Sequence, residues 1–340
     1  MMHYRAPRWV TGQGPWGGNA QTILPALYGR VHLDVSLAPV PYQRERWTAP
    51  DGDFLDLDFL PAAALTHGVA VAPRPLLVLF HGLEGSSRSH YAQAFAHWAH
   101  RQGWDYVVPH FRGCSGELNL GPRFYHSGDH PELDWVLRQL GARHAGQPVL
   151  AVGVSLGGNM LLRWAQEAGS EAGRLVRAVA AVSSPVDLTA AGHAIRRGFN
   201  RYTYTRMFLN SMKPKALAKL KQFPGLFDEA ALRAARDLHA YDNVVTAPLH
   251  GFADAEDYWA RCSAKPGLRA MREVPTLVLN ARNDPFIPAA SLPTRAEVGP
   301  AVTLWQPHEG GHVGFPAGRF PPGHVTVLPD AVGRWLQQHL

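Results

Sequence analysis

Apolar residues along the chain fall into short runs set apart by glycine, proline and polar turns. Leu76–Phe80, Tyr106–Pro109, Val149–Val154, Leu175–Val182, Pro275–Asn280 and Val302–Trp305 are continuous and rich in valine and leucine, the pattern of strands buried on both faces. Val31–Val35 and Phe54–Phe59 instead alternate apolar with polar residues. Asp51-Gly52 makes a turn between Arg44–Trp47 and the second of these patches, so antiparallel strands are expected at the start of a sheet. Between the continuous runs the apolar spacing switches to three and four. This predicts helices over Tyr91–Gln102, over Glu132–Leu140 as far as Gly141, from Leu161 to Ala168 with Gly169 as the stop, and over Ala331–His339. Strands alternating with helices predict an α/β fold around a parallel sheet.

From Thr189 to about Arg272 the character changes. Helical patterns dominate over Thr205–Leu220, Asp228–His239 and Asp254–Ser263, with Asp228 and Asp254 as candidate N-caps. The stretch is too long for a simple crossover, so residues 189–272 are read as a helical cap inserted in one α/β domain that spans residues 1–340. Residues 1–30, rich in glycine, proline and tryptophan, predict an extended arm and a short helix lying over the core, with no readable function. Ala62–Arg74 reads as an alanine- and proline-rich connection.

Composition narrows the class of protein. A chain of 340 residues with 46% hydrophobic content can bury a sizeable core. Two cysteines, Cys114 and Cys262, cannot build a disulfide framework and point to a reducing compartment or to simple core thiols. There is no apolar run of membrane-spanning length and no secretory signal, so a cytoplasmic location is expected. The net charge is +6, yet zinc-type spacing, an RNP pattern and a basic heptad are all missing, which argues against nucleic acid. Arg196, Arg197, Arg201, Arg206, Lys213, Lys215, Lys219 and Lys221 are interleaved with Phe199, Tyr202, Tyr204, Met207, Phe208 and Met212, without an acid. This reads either as a solvated helix face with its core side, or as a lid that makes peripheral contact with anionic lipid or a fatty-acyl substrate.

Candidate chemistry centres on Gly153-Val154-Ser155-Leu156-Gly157, a G-x-S-x-G between a strand and a helix. In that context the motif is a nucleophile elbow, with Ser155 strained and exposed and Gly153 and Gly157 giving it room. A serine hydroxyl needs a base, and the base needs an acid to hold its tautomer. Asp284, just past a strand end and before a proline, and His312, between glycines after the last strand, supply them in the order Ser, Asp, His. His308 and Asp187 are the alternatives. His81-Gly82-Leu83-Glu84-Gly85-Ser86-Ser87 follows a central strand. The N–H groups of Leu83 and Leu156 are therefore the candidate oxyanion donors; a tight turn is the plainer reading. Arg112 reads as structural and Cys114 as inert. The acids and histidines of His126–Asp134 fit no metal spacing.

These motifs resemble the YheT-like branch of the α/β-hydrolase superfamily. The matching stretches are Asn19-Ala20-Gln21-Thr22, Phe80–Gly85, Phe111–Glu117, Tyr125–Gly128, Gly153–Asn159, Asn283-Asp284-Pro285 and Gly311–Phe315, which span nearly the whole chain. The resemblance implies a mostly parallel eight-stranded sheet flanked by helices, a helical cap, carboxylesterase-like chemistry and Ser155, Asp284 and His312 as the triad. The arm departs from the family pattern, reading Gly-Gly-Asn-Ala-Gln-Thr in place of Asn-Pro-His-x-Gln-Thr. The expected protein is a serine esterase acting on a small-molecule or lipid-like ester, with no cofactor or metal; its oligomeric state is not readable. Acyl transfer or thioester cleavage on the same triad is the rival chemistry, and a non-catalytic scaffold the rival class.

Overall fold

The computed structural model describes residues 3–12, 15–31, 39–62 and 74–340. Its centre is an eight-stranded sheet in the order β1-β2-β4-β3-β5-β6-β7-β8. The strands are β1 (Gln43–Thr48), β2 (Phe54–Leu60), β3 (Leu76–Phe80), β4 (Asp105–Pro109), β5 (Val149–Val154), β6 (Ala178–Val182), β7 (Thr276–Leu279) and β8 (Val302–Trp305). The β1–β2 and β2–β4 pairs are antiparallel, and every later pair is parallel. This is the expected mostly parallel α/β sheet.

Successive side chains of a strand point to opposite faces, and the parallel strands are apolar on both. Val78, Phe80, Ala151, Val179, Ala181 and Val278 enter one core, against α3 (His130–Arg143) and α4 (Leu156–Ala168). Leu77, Leu79, Leu150, Val152, Ala180 and Leu277 enter the other, against α2 (His90–Gln102) and the C-terminal helix Val327–Gln337. Each large aliphatic side chain buried this way contributes about 1.5–3 kcal/mol. The rigid slab so formed carries every parallel strand end to one edge.

Some boundaries differ from the sequence reading. Leu175 closes a short helix, α5 (Ser170–Leu175), and β6 begins only at Ala178, because Val176 returns its N–H to Ala172. The pattern over Asp228–His239 is interrupted: Glu229–Ala234 and Leu238–Tyr241 are separate helices, each opened by an aspartate, Asp228 and Asp237. Asp254 caps Ala255–Cys262 by accepting from the Asp257 N–H. The alternating patch Val31–Val35 and the connection Ala62–Arg74 fall largely outside the described residues.

Between β6 and β7 the chain is helical. It includes α6 (Leu188–Ile195), the long helix Arg206–Gln222, and two π-helical turns, Arg201–Thr205 and Asp242–Thr246. At the other end of the chain, α1 (Pro15–Tyr28) crosses the same edge of the sheet, with Gly18 pressed against the Asn283 carbonyl.

Candidate active site

β5 delivers Ser155. The residue sits at φ 53° and ψ −119°, a conformation that costs a non-glycine residue on the order of 1–3 kcal/mol. Close backbone approach holds it there. A Cβ on Gly153 would lie 2.4 Å from the Gly157 carbonyl oxygen, and one on Gly157 would lie 2.4 Å from that of His81. The Ser155 N–H is anchored on the Val182 carbonyl of β6 at 2.8 Å. The hydroxyl therefore projects above the strand ends, at the start of α4.

The structure brings Asp284 and His312 to this serine. Ser155 Oγ lies 3.0 Å from His312 Nε2, and His312 Nδ1 lies 2.8 Å from Asp284 Oδ2. An ionised carboxylate can only accept, so Nδ1–H donates to Asp284 and Nε2 is left to accept from the serine hydroxyl. The second Asp284 oxygen accepts from the Phe286 N–H at 2.8 Å, and the Phe286 ring packs on the imidazole with centroids 4.1 Å apart. The Asp284 side chain is fully buried, whereas the imidazole keeps a narrow opening. The two alternatives lie elsewhere in function: Asp187 caps α6 through the Ala190 N–H, and His308 is exposed.

Leu83 and Leu156 line one cavity with Ser155 and His312. On either side of Leu83 the backbone donors are occupied, Gly82 N–H by the Tyr91 hydroxyl and Glu84 N–H by that of Tyr125. Leu156 opens α4, where an N–H has no acceptor within its own helix. The loop carrying Leu83 is braced from below by His81. Its Nδ1 donates to the Gly82 carbonyl at 2.8 Å and its Nε2 accepts from the Phe111 N–H at 3.1 Å. Burial, reinforced by nearby His110, pushes the His81 imidazole down to about 3, which keeps it neutral in this role. From above, Lys215 of the helix Arg206–Gln222 pairs with Glu84 at 2.8 Å.

Two cavities meet at the serine. One, of about 150 Å³, runs under the β6–β7 helices between Tyr125, Pro185, Met212 and Trp259. The other, of about 380 Å³, opens between α1 and those helices, past Ile23, Leu27, Thr203 and Met207.

The N-terminal segment holds the loops of both Asp284 and His312, a role the sequence did not disclose. Thr22 Oγ1 accepts the His312 N–H at 2.8 Å. Gln21, fully buried, accepts the Gly310 N–H at 2.7 Å and Asn283 Nδ2 at 2.9 Å through one carbonyl oxygen. Asn19 Oδ1 takes the Tyr204 hydroxyl at 2.7 Å. Glu309, within the histidine loop, returns the grip by accepting from the Gly12 N–H at 2.7 Å and the Ala6 N–H at 3.2 Å. The burial of Asn19, Gln21 and Thr22 was not readable; the only sequence trace was that polar cluster in an otherwise apolar stretch.

Other expectations resolve by burial. Arg112 is buried in ion pairs with Asp51 and Asp53, both at 2.9 Å, and with Glu132, a structural role. Burial pushes the Cys114 thiol up to about 12, which suppresses thiolate chemistry. The basic stretch does not form one solvated face. Lys219 is fully buried with its ammonium on the Asn119 carbonyl, Lys215 turns in to Glu84, and Arg196 pairs with Asp237 at 3.4 Å.

A serine elbow on a mostly parallel sheet, with acid and histidine on loops after later strands, defines a class, and sequence comparison agrees with it. Residues 75–318 match the family model described as the alpha/beta hydrolase fold, and the chain belongs to that family. Among its relatives is the Escherichia coli protein named "Putative esterase YheT", 40% identical over 94% of this chain and 90% of the relative. The Mus musculus protein named Phospholipase ABHD3 is 28% identical over 90% of this chain and 72% of its own length. In three dimensions the chain resembles the Pyrococcus furiosus esterase Pf2001, with a TM-score of 0.54 at 15% identity over 93% of this chain and 98% of that one, a likeness of fold.

Proposed function

We propose that the protein is a serine esterase that cleaves carboxylic esters of small-molecule or lipid-like alcohols through an acyl-enzyme on Ser155. The observation that carries this reading is the continuous chain Ser155 Oγ, His312 Nε2, His312 Nδ1, Asp284 Oδ2, with links of 3.0 and 2.8 Å, opening into a largely apolar cavity. Ser155 Oγ attacks the ester carbonyl while its proton passes to His312 Nε2. The oxyanion that forms is held by the Leu83 and Leu156 N–H groups. Collapse of the adduct breaks the C–O bond, and the leaving alkoxide takes the proton from Nε2. Water then adds to the acyl-enzyme, gives its proton to Nε2, and the acid departs as Ser155 regains that proton. Asp284 stays ionised throughout, fixing the tautomer and offsetting the imidazolium.

The helices of residues 189–272 serve as the cap. They roof the smaller cavity, whose dimensions and apolar walls suit a short- to medium-chain acyl group; the wider opening suits the alcohol. The names of the relatives, "Putative esterase YheT" and Phospholipase ABHD3, support ester cleavage without choosing the alcohol.

The test is active-site labelling. A fluorophosphonate probe is expected to label the wild type and not Ser155→Ala. The variant should keep its fold and lose turnover on a panel of esters by at least about a thousandfold. Equal labelling of both proteins would refute the assignment.

A further inference from the structure

The wider cavity opens through a rim of unusual composition. On one side lies α1, with Ile23, Ala26 and Leu27 along the opening and Trp16 one helix end away. On the other lies the segment that leads into the helix Arg206–Gln222, with Thr203 and Met207 along the opening. The two sides touch where the Trp16 and Phe199 rings meet edge to face, 5.6 Å between centroids. Large apolar side chains point to solvent here: Leu27 (65% exposed) and Met207 (55%) on the rim itself, and Trp16 and Tyr202 (75% each) beside it. Exposed apolar residues scattered singly need no explanation, but a set gathered around the mouth of a site does.

Charge selects the occupant. Arg197, Arg201 and Arg206 are exposed among these residues, and no carboxylate among the described residues pairs with them. Residues 15–31 and 188–227, which supply the two sides of the rim, contain no aspartate or glutamate. The other basic residues of the stretch are engaged elsewhere or lie at the far end of the helix, as Lys221 does. What remains is a cationic, aromatic surface around an apolar passage to Ser155. Aromatic side chains favour the interfacial zone of a bilayer, and each basic residue near an anionic leaflet adds about 1 kcal/mol of attraction.

We infer that this rim docks on an anionic lipid surface, so that an ester drawn from the bilayer enters between α1 and the cap without crossing water. The entry route rests on the proposed function, whereas the docking itself does not require turnover. The contact joins the N-terminal helix to the cap, and it uses three arginines rather than the whole basic stretch.

The experiment is co-sedimentation of the full chain with phosphatidylcholine vesicles, with and without phosphatidylglycerol. Binding is expected only with the anionic lipid, weakening as salt is raised. R197E/R201E/R206E should lower that affinity by at least about a hundredfold, since loss of the three arginines alone removes about 1 kcal/mol each. The same variant should hydrolyse a soluble ester such as 4-nitrophenyl butyrate at the wild-type rate, which also shows that it is folded. W16S/Y202S should weaken vesicle binding about tenfold, through loss of apolar burial. Absence of wild-type binding, or unchanged binding by the charge-reversal variant, would overturn the inference. So would a dimer in solution that W16S/Y202S converts to monomer, because a second copy would then cover the rim. If Ser155→Ala binds vesicles as the wild type does while no ester is cleaved by either, the docking surface stands and only the reading of the site falls.

Discussion

The two halves of the site are built in opposite ways. Ser155 is held by its own neighbourhood: the strand before it, the helix after it, and glycines two residues away on each side. His312 is held by a partner 290 positions distant, through Thr22, and its loop by Gln21 from almost as far. The elbow is preorganised by its own glycines and by backbone packing inside the sheet, against Val182 of β6 and the Phe80 and His81 carbonyls after β3. The histidine loop instead contains four positive-φ residues, Gly310, Gly311, Val313 and Phe315, with Gly314 between the last two pressed against the Gln21 carbonyl. Short on internal ladder hydrogen bonds, it borrows order from the first thirty residues. The proposed triad needs both halves within a few tenths of an ångström, so the weaker half sets the precision of the site.

The strongest way to break this comparison is at the elbow. Gly157→Ala places a methyl group 2.4 Å from the His81 carbonyl oxygen and 2.5 Å from that of Phe80, both backbone. A loss of about 3 kcal/mol or more is expected in thermal or denaturant unfolding, with turnover falling at least about a hundredfold in whatever remains folded. Near-normal stability would mean that the elbow is less confined than its geometry states.

Gln21→Ala tests the other half. It strips the acceptor from the Gly310 N–H and Asn283 Nδ2, both buried, at a cost of about 2–3 kcal/mol. The fold should survive, with kcat down about tenfold and KM for a small soluble ester little changed. The sharper readout is local: hydrogen exchange should quicken around residues 308–315 while α4 stays protected. If turnover is intact, the loop is self-supporting and the contrast between the halves disappears.

The smallest effect is a pH dependence. Burial works to raise the Glu309 carboxyl, but the N–H groups of Gly12 and Ala6 and the Thr11 hydroxyl outweigh it, so its pKa is lowered in the folded protein. A lowered carboxyl pKa stabilises the docked arm fully above the unfolded value of about 4.3, and that contribution is lost as pH falls through the folded value. Limited proteolysis within residues 3–12 should therefore accelerate as the pH drops below about 4, before the sheet melts. Proteolysis within residues 3–12 that stays flat from pH 7 down to the pH at which the whole chain unfolds would show that Glu309 does not hold the arm.

Much of the fold was legible because its causes are local. Continuous valine and leucine runs mark strands sandwiched between two cores, and β3, β4, β5 and β7 lie within a residue of their expected bounds. Errors arose where local signals compete. Leu175 belongs to both an apolar run and a helical turn, and Asp237 starts a new helix within a pattern that looked continuous. Ser155, Asp284 and His312 were each visible from a strand end followed by turn chemistry, whereas Gln21 and Thr22 resembled any polar residues of a terminal arm.

By itself, then, the order of residues determined the sheet, the elbow and the succession of serine, acid and histidine, because period, glycine placement and turn propensity act over a few neighbours. The tertiary structure alone decided which charges face inward. Lys219 is buried because the Asn119 carbonyl waits for it 100 positions away, and Lys215 turns toward the loop of Leu83 because Glu84 is there. Likewise only the folded chain sets the N-terminal helix against the His312 loop and beside the helices between β6 and β7. A hydrogen bond or ion pair between distant segments has no signature in the spacing of either one, since its energy exists only once the strands between them have closed the distance.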